Sequence, residues 1–343
     1  MQCRSQIKQL EDRLKFTHSN RMMIFLRSDS DENIGRICDI QTKHSTVSSI
    51  ADLSTSFCVG KGLSLDQAKA IGFEDEDIRS MNNDVSFSID RDGVGAFLVH
   101  SGKWLNLSGE IKVQDFRPIY TDSAGLLLIG GKFRNKWKRQ NIQNQANRQM
   151  IRMDFIKGLD GENAISELSI GRLPYTATCP SALSFYQRTE RIFVCGGWWR
   201  NSYLSASYLY NFGTSKWTKL PDMKHERQSA GICLWNERGG NVVVAGGFRN
   251  CKFVEEFDME KAKWVSLPNL KGDHVASPGL MVSNNILYCV GGVDSKSNGL
   301  GSIEMYDPRD STNQWVVIDS VQKHFGIPEA ENRGAGFNCF LPL

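Results

Sequence analysis

No run of 18 apolar residues occurs anywhere in the chain, so no membrane-spanning helix is expected. The opening stretch MQCRSQIKQLEDRLKF carries charges where a signal peptide needs an apolar centre, which argues against secretion. There is no CxxC pair. The nine cysteines are odd in number and scattered, and Cys58, Cys195, Cys233 and Cys289 lie inside apolar runs. That usage predicts buried reduced thiols in a cytoplasmic protein, not a disulfide frame or a zinc site. Charge of one sign is also lacking. With 41 Lys and Arg against 38 Asp and Glu, the net charge of +3 argues against wholesale nucleic-acid binding.

What the sequence does contain is a repeat. LLLIGG ends at Gly131, RIFVCGG at Gly197, NVVVAGG at Gly247 and ILYCVGG at Gly292. Each is a short apolar run stopping on two glycines, the pattern of a buried strand entering a passage that a Cβ would obstruct. After the last three pairs comes a strand-like segment (SYLYNF, EEFDME, IEMYDP) and then a tryptophan at the start of another strand: Trp217, Trp264 and Trp315. The second glycine precedes that tryptophan by 20, 17 and 23 residues, and the tryptophans are 47 and 51 apart.

A period near fifty with paired glycines and a late tryptophan resembles the kelch repeat, whose unit is one four-stranded propeller blade. The resemblance is specific over residues 116 to 318 and implies an all-β fold, a kelch-type β-propeller; counting the strand groups gives a six-bladed ring, with seven blades or an irregular five as the alternatives. On this likeness Gly130, Gly131, Gly196, Gly197, Gly246, Gly247, Gly291 and Gly292, with Trp217, Trp264 and Trp315, are structural. Kelch propellers commonly serve as protein-interaction platforms, including substrate receptors of ubiquitin ligases and actin-associated proteins. The chain has no region long enough for the BTB domain that many of them carry.

In chain order, Ile7, Leu10 and Leu14 predict a short helix or coiled-coil end over residues 1–19, which also offers a surface for self-association. Residues 20–343 are assigned to the propeller. Residues 20 to 50 read as three strands of a degenerate first blade. The second blade is predicted from TSFCVG, DVSFSID, GAFLVH and KWLNL, with an insert in which Ser64 caps a short helix before the acidic run Glu74 to Asp77. A long polar insert interrupts the third blade, and the fourth to sixth are regular. GAGFNCFLPL resembles the segments that open earlier blades, so residues 334–341 are predicted to join the 20–50 blade and close the ring.

In an antiparallel blade the turns between the second and third strands share one face with the connections between blades. These turns are the candidate binding loops. Lys132, Arg134, Lys136, Trp137, Lys138 and Arg139 come from the third blade, Trp198, Trp199, Arg200 and Tyr203 from the fourth, and Arg249 and Lys252 from the fifth. Arginines grip carboxylates or phosphates in a fork and tryptophans supply large anchors, so the predicted ligand is an acidic or phosphorylated protein segment. The lysines also suit a solvated loop, and Trp198 also suits packing on the propeller body. Basic residues interleaved with Trp137 and Trp199 suit a nucleic-acid track as well. The near-neutral total charge and the acidic loops of the first two blades oppose that.

No catalytic set emerges. His225, His274 and His324 recur at what reads as one place in the repeat, which suits a structural connection better than a converging metal site. SIDRDG imitates the start of a calcium loop, but Val99 stands where a bidentate Glu is needed, so a hairpin turn is expected. No cofactor is expected. The alternative is a propeller-class enzyme, a glycan hydrolase or oxidase working at the central mouth, since one fold hosts unrelated functions.

Overall fold

The computed structural model describes residues 21–27, 33–39, 44–50, 56–80, 83–89, 93–133, 148–157, 163–235, 239–276, 278–292, 301–320 and 339–342. The predicted N-terminal helix, residues 334–338 and His324 lie outside them. Among the described residues the chain is all strand except for one helix, Leu65–Ile71, and no helix is long and apolar enough to cross a membrane. That helix forms where the insert of the second blade predicts it. The Ser64 side chain accepts the Gln67 N–H, the Gln67 side chain accepts the Ser64 N–H, and Gly72 ends the helix in the left-handed region.

The strands form antiparallel four-stranded groups. The first comprises Arg21–Arg27, Asn33–Asp39 and His44–Ile50, with Cys339–Pro342 added beside Arg21–Arg27 in the register Met22↔Pro342 to Phe25↔Cys339. An eight-stranded sheet holds the second and third groups. Its halves meet at a lone parallel bridge, Ala164↔Ser108, between the outer strands Asn163–Arg172 and Lys103–Ser108. Ser181–Gln187 opens the fourth group, Gly231–Trp235 the fifth and Gly279–Ser283 the sixth. The innermost strands neighbour one another in turn: Cys339–Pro342, Ser56–Leu63, Arg117–Thr121, Ser181–Gln187, Gly231–Trp235, Gly279–Ser283, and back to Cys339–Pro342.

The core lies between neighbouring groups. Asn241–Ala245 is buried at Val242, Val243, Val244 and Ala245 because both of its faces are covered, as in the continuous apolar runs of sheets packed on two sides. The outer strands Lys216–Leu220 and Lys263–Leu267 are exposed on the solvent side and each turn one tryptophan inward. Trp264 packs against Phe257 of its own group and Phe193 of the preceding one, with centroids 5.2 and 6.0 Å away, and donates its indole N–H to the Pro221 carbonyl at 2.9 Å. The late tryptophan of the repeat is therefore a wedge between groups.

Candidate functional site

The paired glycines explain how one group is tied to the next. The second glycine donates its N–H to a carbonyl on the outgoing connection: Gly131 to Ala177, Gly197 to Arg227, Gly247 to His274, at 2.8 to 2.9 Å. The first glycine of the following group then accepts from a side chain on that same connection. Tyr175 Oη donates to Gly196 O at 3.0 Å, Arg227 Nη1 to Gly246 O at 3.0 Å, and His274 Nδ1 to Gly291 O at 2.6 Å. A Cβ on Gly130 would sit 2.6 Å from Ala177 O, and one on Gly246 2.5 Å from His274 O.

Two of these connections bury a charge pair. Arg227 Nη2 donates to Glu255 Oε2 at 2.5 Å, with side chains 1% and 0% exposed. Glu255 also accepts the backbone N–H of Lys224 and of His225. One repeat later His274 Nε2 meets Glu304 Oε1 at 3.0 Å, and Glu304 accepts the N–H of Lys271 and Gly272. Arg227, not His225, thus occupies the place of His274, which corrects the sequence alignment of the histidines. His225 instead stacks on Phe253, centroids 3.9 Å apart. Both ring nitrogens of His274 face acceptors, so the ring is an imidazolium.

Burial alone opposes that charge, but Cys289, Glu304 and the Gly291 carbonyl around the ring outweigh it and push the His274 pKa up to about 11. Burial likewise opposes charge on Glu304, yet His274 and the two backbone donors hold its pKa below the ordinary value. The His274 contribution is therefore full below about pH 6.5 and lost as pH rises towards its folded value; the Glu304 contribution is present above about pH 4.5 and lost below. In urea unfolding, the stability gap between the native chain and His274→Gln is expected to be largest near pH 5 to 6 and to shrink by pH 10. A gap independent of pH would contradict the imidazolium.

The loop face is built on these connections. Asp115, Cys179 and Ser229 each precede an inner strand in the left-handed region, with φ of 56°, 44° and 54°. Cys179 N–H donates to Asp115 O and Ser229 N–H to Cys179 O, forming a backbone collar from the third group to the fifth. Outside it stand the segments that follow the glycine pairs. In the fourth group Trp198–Trp199 pairs with Ser202–Tyr203, and the hairpin turns through Arg200 and Asn201 at φ of 47° and 64°. That two-residue left-handed turn matches the twist of its strands. Trp198 is locked to Thr178 by backbone bonds in both directions at 3.0 Å, and Phe248 N–H donates to Gln228 O in the equivalent place.

Of the sequence-predicted residues, Arg134, Lys136, Trp137 and Arg139 lie outside the described residues, as does Lys138. Trp198, Trp199 and Tyr203 are half-buried, and Arg200 is exposed with its guanidinium 5.4 Å from the Trp199 ring centre. Arg249 and Lys252 lie on the neighbouring blade, but neither stands alone: Arg249 Nε is 2.9 Å from Glu226 Oε1, and Lys252 Nζ is 3.3 Å from Asp273 Oδ1. Lys132 is similarly held by Asp115 at 2.6 Å. Sequence reasoning missed two aromatic members, Phe133 and Phe248, which are 41% and 37% exposed on this face. Their signal was their place, within two residues of a glycine pair. Among the described residues, no group of three or more His, Cys, Asp or Glu is placed to hold a metal ion.

Comparison with known proteins places this architecture. The family pattern described as Kelch motif matches residues 189–224 and 275–322. A kelch repeat-containing protein of Arabidopsis thaliana is 30% identical over 110 residues, 31% of this chain and 26% of that protein. An F-box/kelch-repeat protein of the same plant is 27% identical over 157 residues, covering 43% and 37%. Kelch-like protein 23 of Homo sapiens is 26% identical over 136 residues, covering 38% and 23%. The chain spans well under half of the length of these relatives.

Proposed function

This chain is a kelch-repeat protein, and from that premise we propose that it is a six-bladed, non-catalytic protein-binding module. Its ring closes where Cys339–Pro342 joins the blade of Arg21–Arg27, and its partner docks on the loop face of the third to fifth blades. The observation that carries the site is the Trp198–Tyr203 hairpin, a rigid tip that holds an exposed arginine beside a tryptophan on the outer side of the collar. Arginine and tryptophan are the side chains that dominate binding energy when an interface buries them. The partner segment is acidic or phosphorylated. Supporting this, the stretch from Lys132 to Gln149 carries Arg134, Lys136, Lys138, Arg139 and Arg148 and no Asp or Glu, and Lys132–Phe133, which opens it, stands on the same face. Names that join the kelch repeat to an F-box support a role as a scaffold or as a substrate receptor of a ubiquitin ligase. The free cysteines among the described residues suit a reducing, cytoplasmic setting. The buried charges Arg227, Glu255, His274 and Glu304 are all spent on joining blades, which leaves them no part in chemistry on a substrate.

The test is affinity capture from cell extract with the intact chain and with the combined Arg134→Glu, Trp199→Ala, Arg200→Glu variant. A partner held by the intact chain and lost at least about tenfold by the folded variant is expected. Equal retention by both would place the site elsewhere.

A further inference from the structure

We propose that the segment bound on this face is anchored by apolar side chains, with a single acidic group set against Arg200. The inference rests on the reading that this face binds a protein segment, and it adds what the described part of the face can recognise. Of the four described cations predicted for this face, three already have an acid: Lys132 has Asp115, Arg249 has Glu226 and Lys252 has Asp273. An incoming carboxylate would have to displace a resident one at each of these places, exchanging one exposed ion pair for another with little net gain. Among the described residues Arg200 has no acid within ion-pair distance, and its guanidinium lies over Trp199.

What is exposed or half-exposed there instead is aromatic. The two residues after the first three glycine pairs are Lys132 and Phe133, Trp198 and Trp199, and Phe248 and Arg249. Three neighbouring blades therefore each carry a ring within two residues of the glycine pair, with Phe133 and Phe248 on the blades either side of the one that carries the tryptophan hairpin. Rings of this kind supply large contact area at a small cost in side-chain freedom. The backbone under them is fixed in advance by the Thr178 and Gln228 bridges and by the pairing of Lys132–Phe133 with Val113–Gln114. Arg200 itself sits in the left-handed region, where glycine or asparagine would turn the chain more easily. The side chain, not the turn, accounts for an arginine there.

The probe is a library of random twelve-residue peptides displayed on phage and selected on the full chain, keeping the clones whose capture falls with Trp199→Ala. Those clones are expected to carry at least two large apolar residues and one Asp or Glu. With a synthetic peptide of that sequence, Phe133→Ala and Phe248→Ala each weaken binding by about tenfold in fluorescence anisotropy, with melting curves unchanged. Raising NaCl from about 50 to about 500 mM weakens it less than about tenfold, as for one exposed ion pair. Trp199-dependent peptides that are polyacidic, steeply salt-sensitive and indifferent to both phenylalanine variants would overturn apolar anchoring while leaving the face in place. Failure to recover any peptide dependent on Trp199 or Arg200 would overturn the face reading together with the inference.

Discussion

Glu255→Ala is expected to cost about 3 to 5 kcal/mol of folding stability, because it strands the Arg227 guanidinium without its counter-charge. Burial already lowers the Arg227 pKa, with the Glu255 carboxylate as the main group acting against that shift, so its removal takes away most of what opposes desolvation. It also leaves the Lys224 and His225 N–H groups without their acceptor. Replacing both members of the pair by apolar residues, Arg227→Met with Glu255→Leu, is expected to recover much of the loss, since no charge then remains buried. Urea unfolding of both single variants and the double variant measures this. A double variant as unstable as the sum of the singles would mean that the pair does not act as a unit.

The second large effect concerns the glycine pairs. Gly246→Ala is expected to lose about 2 to 4 kcal/mol, from a left-handed conformation that disfavours a Cβ and from overpacking against a neighbouring backbone. At φ +66° the added carbon would lie 2.5 Å from His274 O and 3.3 Å from Pro278 Cγ. Gly239, in the same blade at φ +76°, is the control, because nothing lies within 4 Å of its Cβ position. Gly239→Ala therefore carries only the conformational cost, about 1 kcal/mol. Equal losses at the two glycines would refute the close approach between blades.

The repeat was legible because its physics is local. A buried strand ending in two glycines, a capping serine before a short helix and a late tryptophan are patterns within a few residues, and each reappears at Gly247, Ser64 and Trp264. The electrostatics of the face was not legible in that way. Lys132, Arg249 and Lys252 read as a basic patch in the linear sequence, yet each meets an acid on a connection 17 to 23 residues away that only blade packing brings near. The equivalence of Arg227 and His274 was hidden for a related reason. Two unlike side chains do one job, bonding a glycine carbonyl and a strand glutamate, so alignment by residue type picked His225 instead. Phe133 and Phe248 were readable in principle by numbering from the glycine pair, which counts position in the turn and not chemistry.

The most direct measurement is hydrogen–deuterium exchange of the chain alone and with its captured partner bound. The account predicts slowed exchange at residues 198–203 and 248–252, with the opposite-face turns at Asp122 to Gly125 and Asn284 to Asn285 unchanged. Protection confined to those opposite turns or to the insert helix Leu65–Ile71 would contradict it.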